Sequence, residues 1–422
     1  MALKVAIIGS RGIPAKYGGF ETFVDEISKR LVAKGYEIYV SCEGGATPKI
    51  PKYNGVNLFY FPLRPFCRII YETIYDIYSL IKSSLMCDYI YMLGYGAGFF
   101  FFIPKLFGKK LLVNVDGIEW RRDKYSKVEK LVLYLSEIFA VHFSDIIIAD
   151  SIEIKKYIEL KHGKNAVYIS YGVEMPPIEL WNPHKLKEIS SANNFTSLEN
   201  NGFYLVVARL EPENNIHIIV EGFLLSNSTK KLVVVGNFLS RKYELSIDKI
   251  ITDLNGHDRI IFTKGIYKKD LLNMLRQNCF TYIHGHSAGG TNPSLLEAMI
   301  MKNIIVAHEN EFNREVGSSS ILNFKDSLDL KACIENIEDN YLIYLTLKSD
   351  AYERVLTYYS WEDIATVYST LFRSGSSTVV NQNRMQSDDF QIWRKKKKIS
   401  AMSDLIINSP QVPKDEREKF KN

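Results

Sequence analysis

His286-Ser-Ala-Gly-Gly-Thr-Asn-Pro-Ser-Leu-Leu-Glu297 is the stretch on which the reading of this chain turns. The apolar run Phe280-Thr-Tyr-Ile-His-Gly before it reads as a strand entering a loop. Gly289 and Gly290 supply backbone with no side chain in the way, Thr291 or Asn292 can cap a helix, Pro293 suits its first position, and Ser294 to Met301 is good helix sequence. A glycine pair leading into a capped helix at a strand's carboxyl end presents unpaired amides and a positive dipole, which is what a diphosphate needs. An ordinary strand-loop-helix turn accounts for Asn292-Pro293. It does not call for the glycine pair and Glu297, one turn into the helix, together.

Outward from this stretch the pattern repeats. Phe203–Ala208, Lys231–Val235, Arg259–Phe262, Phe280–Ile283 and Asn303–Ala307 are apolar runs separated by helical segments. Val5–Ile8, Ile38–Ser41, Tyr89–Met92, Leu111–Val115 and Ile146–Ala149 do the same in the first half. Between the first two, Phe20, Phe23, Val24, Ile27 and Leu31 share one helix face and Gly35 is placed to end it. Such alternation marks an α/β fold with parallel sheets, and 422 residues suit two doubly wound, Rossmann-like domains facing a cleft. The boundaries expected are 1–178 for the first domain, a polar linker over 179–201, the second domain over 202–357, a crossover helix over 358–373 and a basic, flexible tail over 374–422.

Composition narrows the classes. The net charge of +5 is modest and its lysines and arginines are interleaved with acids, so no nucleic-acid stripe is present. Five cysteines, odd in number and far apart, form neither a zinc motif nor a disulfide framework, which fits a reducing cytoplasm. The N-terminus opens on a buried strand rather than a signal peptide, and Tyr89 to Pro104 falls short of the ~20 apolar residues of a spanning helix. That segment reads as a core strand, a glycine loop and a short helix. Basic and apolar residues alternate over 64–70 and 121–127, where solvated helix faces or a peripheral contact with an anionic membrane both fit.

Further candidates sit at other strand ends. Arg209 follows Phe203–Ala208 and would point into the same cleft, where a guanidinium can neutralise a leaving diphosphate. The loop from Gly9 to Thr22 carries Arg11, Gly18, Gly19 and Glu21 beside a helix start, a second place for close backbone approach to a ligand. Asp116, after Leu111–Val115, reads either as an acceptor for a sugar hydroxyl or as an Asp-Gly turn. The histidines lack metal-ligand spacing and no Asp-x-Asp occurs, so neither a metal nor another cofactor is expected.

These segments resemble retaining family 4 glycosyltransferases of GT-B fold, and within them the bacterial rhamnosyltransferases of capsule and cell-surface polysaccharide synthesis. The resemblance is carried by residues 9–22, Asn114-Val-Asp-Gly-Ile-Glu-Trp-Arg-Arg122, Val207-Ala-Arg-Leu-Glu-Pro-Glu-Asn214, 286–297 and Ser360-Trp-Glu-Asp-Ile-Ala-Thr-Val-Tyr-Ser-Thr-Leu371. The last looks like the helix by which such chains return to their first domain. Most members carry Glu-x7-Glu and Arg-x4-Lys; here Gly289 stands at the first glutamate and Asn214 at the lysine, while Glu297 remains to hold the ribose.

The resemblance implies catalysis by Arg209 and Asp116, donor binding by Gly289, Gly290, Thr291, Asn292, Ser294, Leu295, Glu297, Gly265 and Asn214, and an acceptor or phosphate loop at Arg11, Gly18, Gly19 and Glu21. It further implies rhamnose transfer from dTDP-rhamnose to a lipid-linked saccharide, with retention. A UDP-hexose transferase, a nucleotide-sugar 2-epimerase and a non-catalytic sugar-nucleotide binder are the alternatives.

Overall fold

Val5, Ala6, Ile7 and Ile8 are each wholly buried. Unbroken apolar runs of this kind belong to parallel strands covered by helices on both faces. The structure, a computed structural model, describes residues 2–15, 18–45, 49–64, 68–122, 125–187 and 198–376. Two sheets form in one compact unit, Met1–Gly375.

The first sheet contains β1 (Lys4–Ile8), β2 (Glu37–Cys42), β3 (Lys52–Tyr53), β4 (Val56–Tyr60), β5 (Tyr89–Leu93), β6 (Lys110–Asn114), β7 (Ile146–Ala149) and β8 (Ala166–Tyr168). Its order is β3-β4-β2-β1-β5-β6-β7-β8, and only the β3-β4 pair is antiparallel. The second sheet contains β9 (Phe203–Val207), β10 (Lys231–Val235), β11 (Ile260–Thr263), β12 (Thr281–His284), β13 (Ile305–His308) and β14 (Leu322–Phe324), all parallel, in the order β11-β10-β9-β12-β13-β14. Both sheets reverse direction of winding beside their first strand, between β1 and β5 and between β9 and β12. Ligands of doubly wound sheets bind at such a switch point. Pairing of β9 with β12 is confined to Thr281 with Tyr204 and Tyr282 with Leu205, so the two strands part beyond Leu205 and open a crevice.

Each expected strand forms, with ends shifted by at most two residues. Strands β3, β4, β8 and β14 go beyond the expectation. Three of these are two or three residues long, too short to show a period. For β3 and β4 a signal existed in the Asn54-Gly55 dipeptide, which takes positive φ at both positions and closes the hairpin. The first helix, Gly19–Ala33, buries Phe23, Val24, Ile27 and Leu31 as expected. Gly35 follows it at φ +90.

The last helix, Trp361–Ser374, returns to the first domain. Tyr36 donates its hydroxyl to the Ser369 carbonyl at 2.9 Å, the Tyr91 and Tyr368 hydroxyls are 2.7 Å apart, and Phe23 packs edge-on to Tyr368. Part of the expected linker is docked on the second domain, where Trp181 packs on Phe203 and Gln277 accepts the Glu179 N–H. Residues 188–197 of the linker and 377–422 of the tail lie outside the described residues. Among the described residues no helix is long and apolar enough to cross a membrane.

Candidate functional site

The crevice between β9 and β12 ends in a cavity of about 170 Å³ lined by Val206, Val207, Ala208, Arg209, Asn214, Ile283, His284, Gly285, His286, Asn292 and Ser294. Its floor comes from strand ends and its wall from the start of the Pro293–Ile300 helix. Asn292 is the cap of that helix, accepting the Ser294 N–H at 2.9 Å, and Pro293 takes the first helical position. The Ser294 hydroxyl lies 2.6 Å from the Tyr282 hydroxyl and 3.3 Å from the Val207 carbonyl, which ties the helix start to both strands.

Gly289 adopts φ +93, a conformation other residues rarely take. A Cβ on Gly117 of the first domain would lie 3.1 Å from the Gly289 Cα, and one on Gly290 would overlap the Asp150 carboxylate. The glycine pair therefore admits the first domain up to backbone contact. Thr291 extends the join by donating its hydroxyl to the Asp150 carbonyl at 2.5 Å. Gly19, at the start of the first helix, lies against Pro293. Two helix N-termini thus lie side by side where the domains meet, and each brings the positive end of its dipole there.

The charged groups around this point are paired. Arg209, half-exposed, lies 3.5 Å from Glu213 and 3.7 Å from Glu211. Glu213 also lies 3.8 Å from Arg122, which holds Glu119 at 2.9 Å. Burial opposes the Arg122 charge, yet Glu119, Glu213 and Asp116 hold its pKa above the ordinary arginine value. Two guanidiniums, one from each domain, thus share one carboxylate. An arriving diphosphate would compete with Glu213 for both.

Burial keeps the neighbouring imidazoles neutral, pushing His284 down to about 3 and His286 to about 4. Asn214 is buried where the resemblance implies a donor contact. Its amide nitrogen donates to the Arg209 carbonyl at 2.8 Å and its oxygen lies 2.9 Å from the His286 ring, so it braces the cavity wall.

The remaining expected residues distribute as follows. Glu297 binds Arg276 at 2.6 Å and its side chain stays about one-third exposed. Gly265 donates its N–H to Asn237 at 3.1 Å, at the ends of β10 and β11. Asp116 takes φ +49 and donates its N–H to Asn114, which is the turn geometry, and it stands near enough to Asp150 to raise that carboxyl. Glu21 accepts the Arg11 N–H at 3.0 Å beside Gly18, while the Arg11 guanidinium lies 3.7 Å from Glu43. Leu295 stands in the helix beside Ser294. Its side chain is wholly buried and its N–H is bonded to the Asn292 carbonyl, because its place on the helix faces the core rather than the cavity.

Sequence reasoning missed Arg122, Asp150, Glu213 and Glu315. Asp150 follows β7 just as Asp116 follows β6, and that strand-end position was the available signal. Its carboxyl is buried, and burial, then the charges of Asp116 and Glu315, hold its pKa well above the usual range. Glu315, from the second domain, accepts the Ile152 N–H at the start of the Ile152–His162 helix of the first, at 2.9 and 3.0 Å. Burial pushes it up to about 7.

A family described as Glycosyl transferases group 1 matches residues 190–339. Residues 190–339 thus carry a group 1 glycosyltransferase segment, set in the fold described above. Residues 2–174 match a domain of unknown function, DUF1972. A search of curated proteins finds no match.

Solved structures share the GT-B fold. Sucrose-phosphate synthase from Thermosynechococcus elongatus superposes with a TM-score of 0.73 at 15% identity, covering 88% of this chain and 98% of that one. HepE of Anabaena, in complex with UDP and glucose, gives 0.71 at 17%, covering 88% and 100%. The catalytic domain of starch synthase IV from Arabidopsis thaliana, bound to ADP and acarbose, gives 0.65 at 15%, covering 89% and 99%.

Proposed function

We propose that this transferase moves rhamnose from dTDP-rhamnose to a lipid-linked saccharide, with retention of anomeric configuration, in the assembly of a bacterial capsule or cell-surface polysaccharide. The observation that carries the donor reading is Gly289. Where most family 4 members present a carboxylate to the donor sugar, this chain presents bare backbone pressed against Gly117. A pocket without that carboxylate suits a sugar with a different hydroxyl pattern. The nucleotide diphosphate would enter the cavity between β9 and β12, with Glu297 on the ribose.

Chemistry then rests on stabilising the departing diphosphate. Arg209 at the cavity mouth and the amides opening the Pro293–Ile300 helix supply positive potential where negative charge develops, and being already in place they need little reorganisation. The acceptor hydroxyl attacks the anomeric carbon on the face the diphosphate leaves; the C–O bond to the diphosphate breaks, and a diphosphate oxygen takes the hydroxyl proton. Asp116 and the Arg11–Glu21 loop place the acceptor on the first-domain side. No covalent enzyme intermediate is required.

The test is incubation with dTDP-rhamnose and a lipid-linked saccharide extract, followed by product linkage analysis. Rhamnosylated lipid supports the reading. Product formed only with UDP-hexose donors overturns the rhamnose assignment, and the likeness to HepE with UDP-glucose makes that donor the comparison to run. Nucleotide release that needs no acceptor would point to an epimerase.

A further inference from the structure

The Lys127–Phe143 helix is apolar on its outer side as well as toward the core. Surface helices turn apolar side chains to the core and acids to water. Here Ser136 and Glu137 face inward together with Ala140 and Val141, while Val128, Leu131, Val132, Leu135, Ile138 and Phe139 form the exposed stripe, with Val128 at 72% and Leu131 at 57%. The inward acid is held by design of its surroundings. The Glu137 carboxylate accepts from the Trp120 indole at 3.0 Å, the Tyr157 hydroxyl at 2.7 Å and Lys161 at 3.2 Å, and lies 2.9 Å from His162. Ser136 bonds to the backbone of Tyr95 and Gly98. Specific bonds thus admit an acid and a hydroxyl on the inner side, and the outer apolar side is left uncovered.

The stripe continues onto the neighbouring turn. Phe99 packs on Phe139 at 5.1 Å between ring centres and Phe102 on Phe143 at 6.2 Å, and beyond them Leu106 is 74% exposed beside Phe107. Among the described residues no carboxylate interrupts this face. Glu129 is folded back onto the Ser126 N–H in a capping box, Glu137 is buried, and Asp145 at the far end is paired with Lys105. Cations accompany it, with Lys127 and Lys130 in the first turn of the helix, Lys109 two residues after Phe107, and Arg121 stacked over Trp120 and Tyr157.

We infer that this face, the outward stripe of the Lys127–Phe143 helix with Phe102, Leu106 and Phe107, lies in the headgroup layer of an anionic lipid bilayer. An apolar centre free of acid with a basic edge is complementary to such a surface. A second copy of the chain, packed face to face, would instead bring edges of the same sign together. The helix starts five residues after Arg122, so docking it would hold the rim of the cleft at the lipid surface. This deepens the lipid-linked acceptor reading and rests on it for its purpose, whereas its test involves neither donor nor acceptor.

The test uses the full chain and sedimentation with vesicles of phosphatidylglycerol and phosphatidylcholine, against phosphatidylcholine alone. Wild type is expected to partition onto the anionic vesicles, and Leu131→Ser/Leu135→Ser/Phe139→Ser to fall at least ~10-fold, with unchanged circular dichroism. The basic tail is present in both, so the difference reads the stripe. Should the triple variant misfold, Leu131→Gln and a fluorophore on Leu131→Cys replace it, with a blue shift expected on vesicles. Undiminished sedimentation of folded stripe variants overturns the proposal. So does a wild type that ignores vesicles but forms a dimer that these variants dissociate.

Discussion

The carboxylate of Asp150 lies against the bare Cα of Gly290, in the space that any Cβ at that position would fill. One residue follows a strand of the first domain and the other belongs to the loop before the Pro293–Ile300 helix of the second. The absence of a side chain at 290 therefore sets how near the domains come.

Gly290→Ala should hinder that approach. Overpacking costs about 1–3 kcal/mol, so kcat/KM should fall roughly 5- to 150-fold if the whole cost falls on the approach. Adding Asp150→Ala should recover part of the loss. Steady-state kinetics on the two variants checks this, and a Gly290→Ala enzyme of wild-type efficiency would contradict it.

Arg209→Ala should lower kcat by about 10²- to 10³-fold, the effect of removing one preorganised donor from a developing anion. Its side chain is 58% exposed and, among the described residues, pairs with Glu211 and Glu213 at 3.5 to 3.7 Å. The melting temperature should therefore hold. A large drop in melting temperature with turnover preserved would reverse the assignment.

The domain junction should be sensitive to pH through Glu315. Burial raises its pKa to about 7 in the folded state from an ordinary 4.5. A group raised in this way contributes most below its unfolded pKa, and the contribution is lost as pH rises through the folded value. Glu315→Gln keeps the shape without the charge. Its melting temperature relative to wild type should climb between pH 5 and pH 8, and a flat difference would show that the carboxyl does not titrate there.

Glu137→Ala should cost roughly 3–5 kcal/mol, since it leaves Lys161 without its buried partner and strips acceptors from Trp120 and Tyr157. Denaturant unfolding measures it. A loss below 1 kcal/mol would mean that the inward acid is incidental to the helix orientation.

Much of this was legible in the chain. Runs such as Val5–Ile8 and Lys231–Val235 declare buried parallel strands because nothing polar interrupts them. Asn292-Pro293 announces its helix start through local capping chemistry alone, and Gly289-Gly290 marks the close approach. What escaped was whatever depends on partners remote in sequence. Leu295 sits in the same motif as Ser294, yet one turns to the core and the other to the cavity, a difference of rotation that only packing decides. Arg122 was read as part of a signature rather than as the guanidinium that shares Glu213 with Arg209, because those residues lie some ninety positions apart.

Local physics, the period of apolar residues, glycine freedom and helix capping, is written in neighbouring residues, and so the sequence by itself determined two doubly wound sheets and a phosphate-suited loop at Gly289-Gly290. The closeness of Asp150 to Gly290, the capping of Ile152 by Glu315 and the outward turn of Leu131 were decided only by the tertiary structure. Each depends on how whole elements pack and on which charges are taken from water together, and neither is encoded in any one stretch of chain.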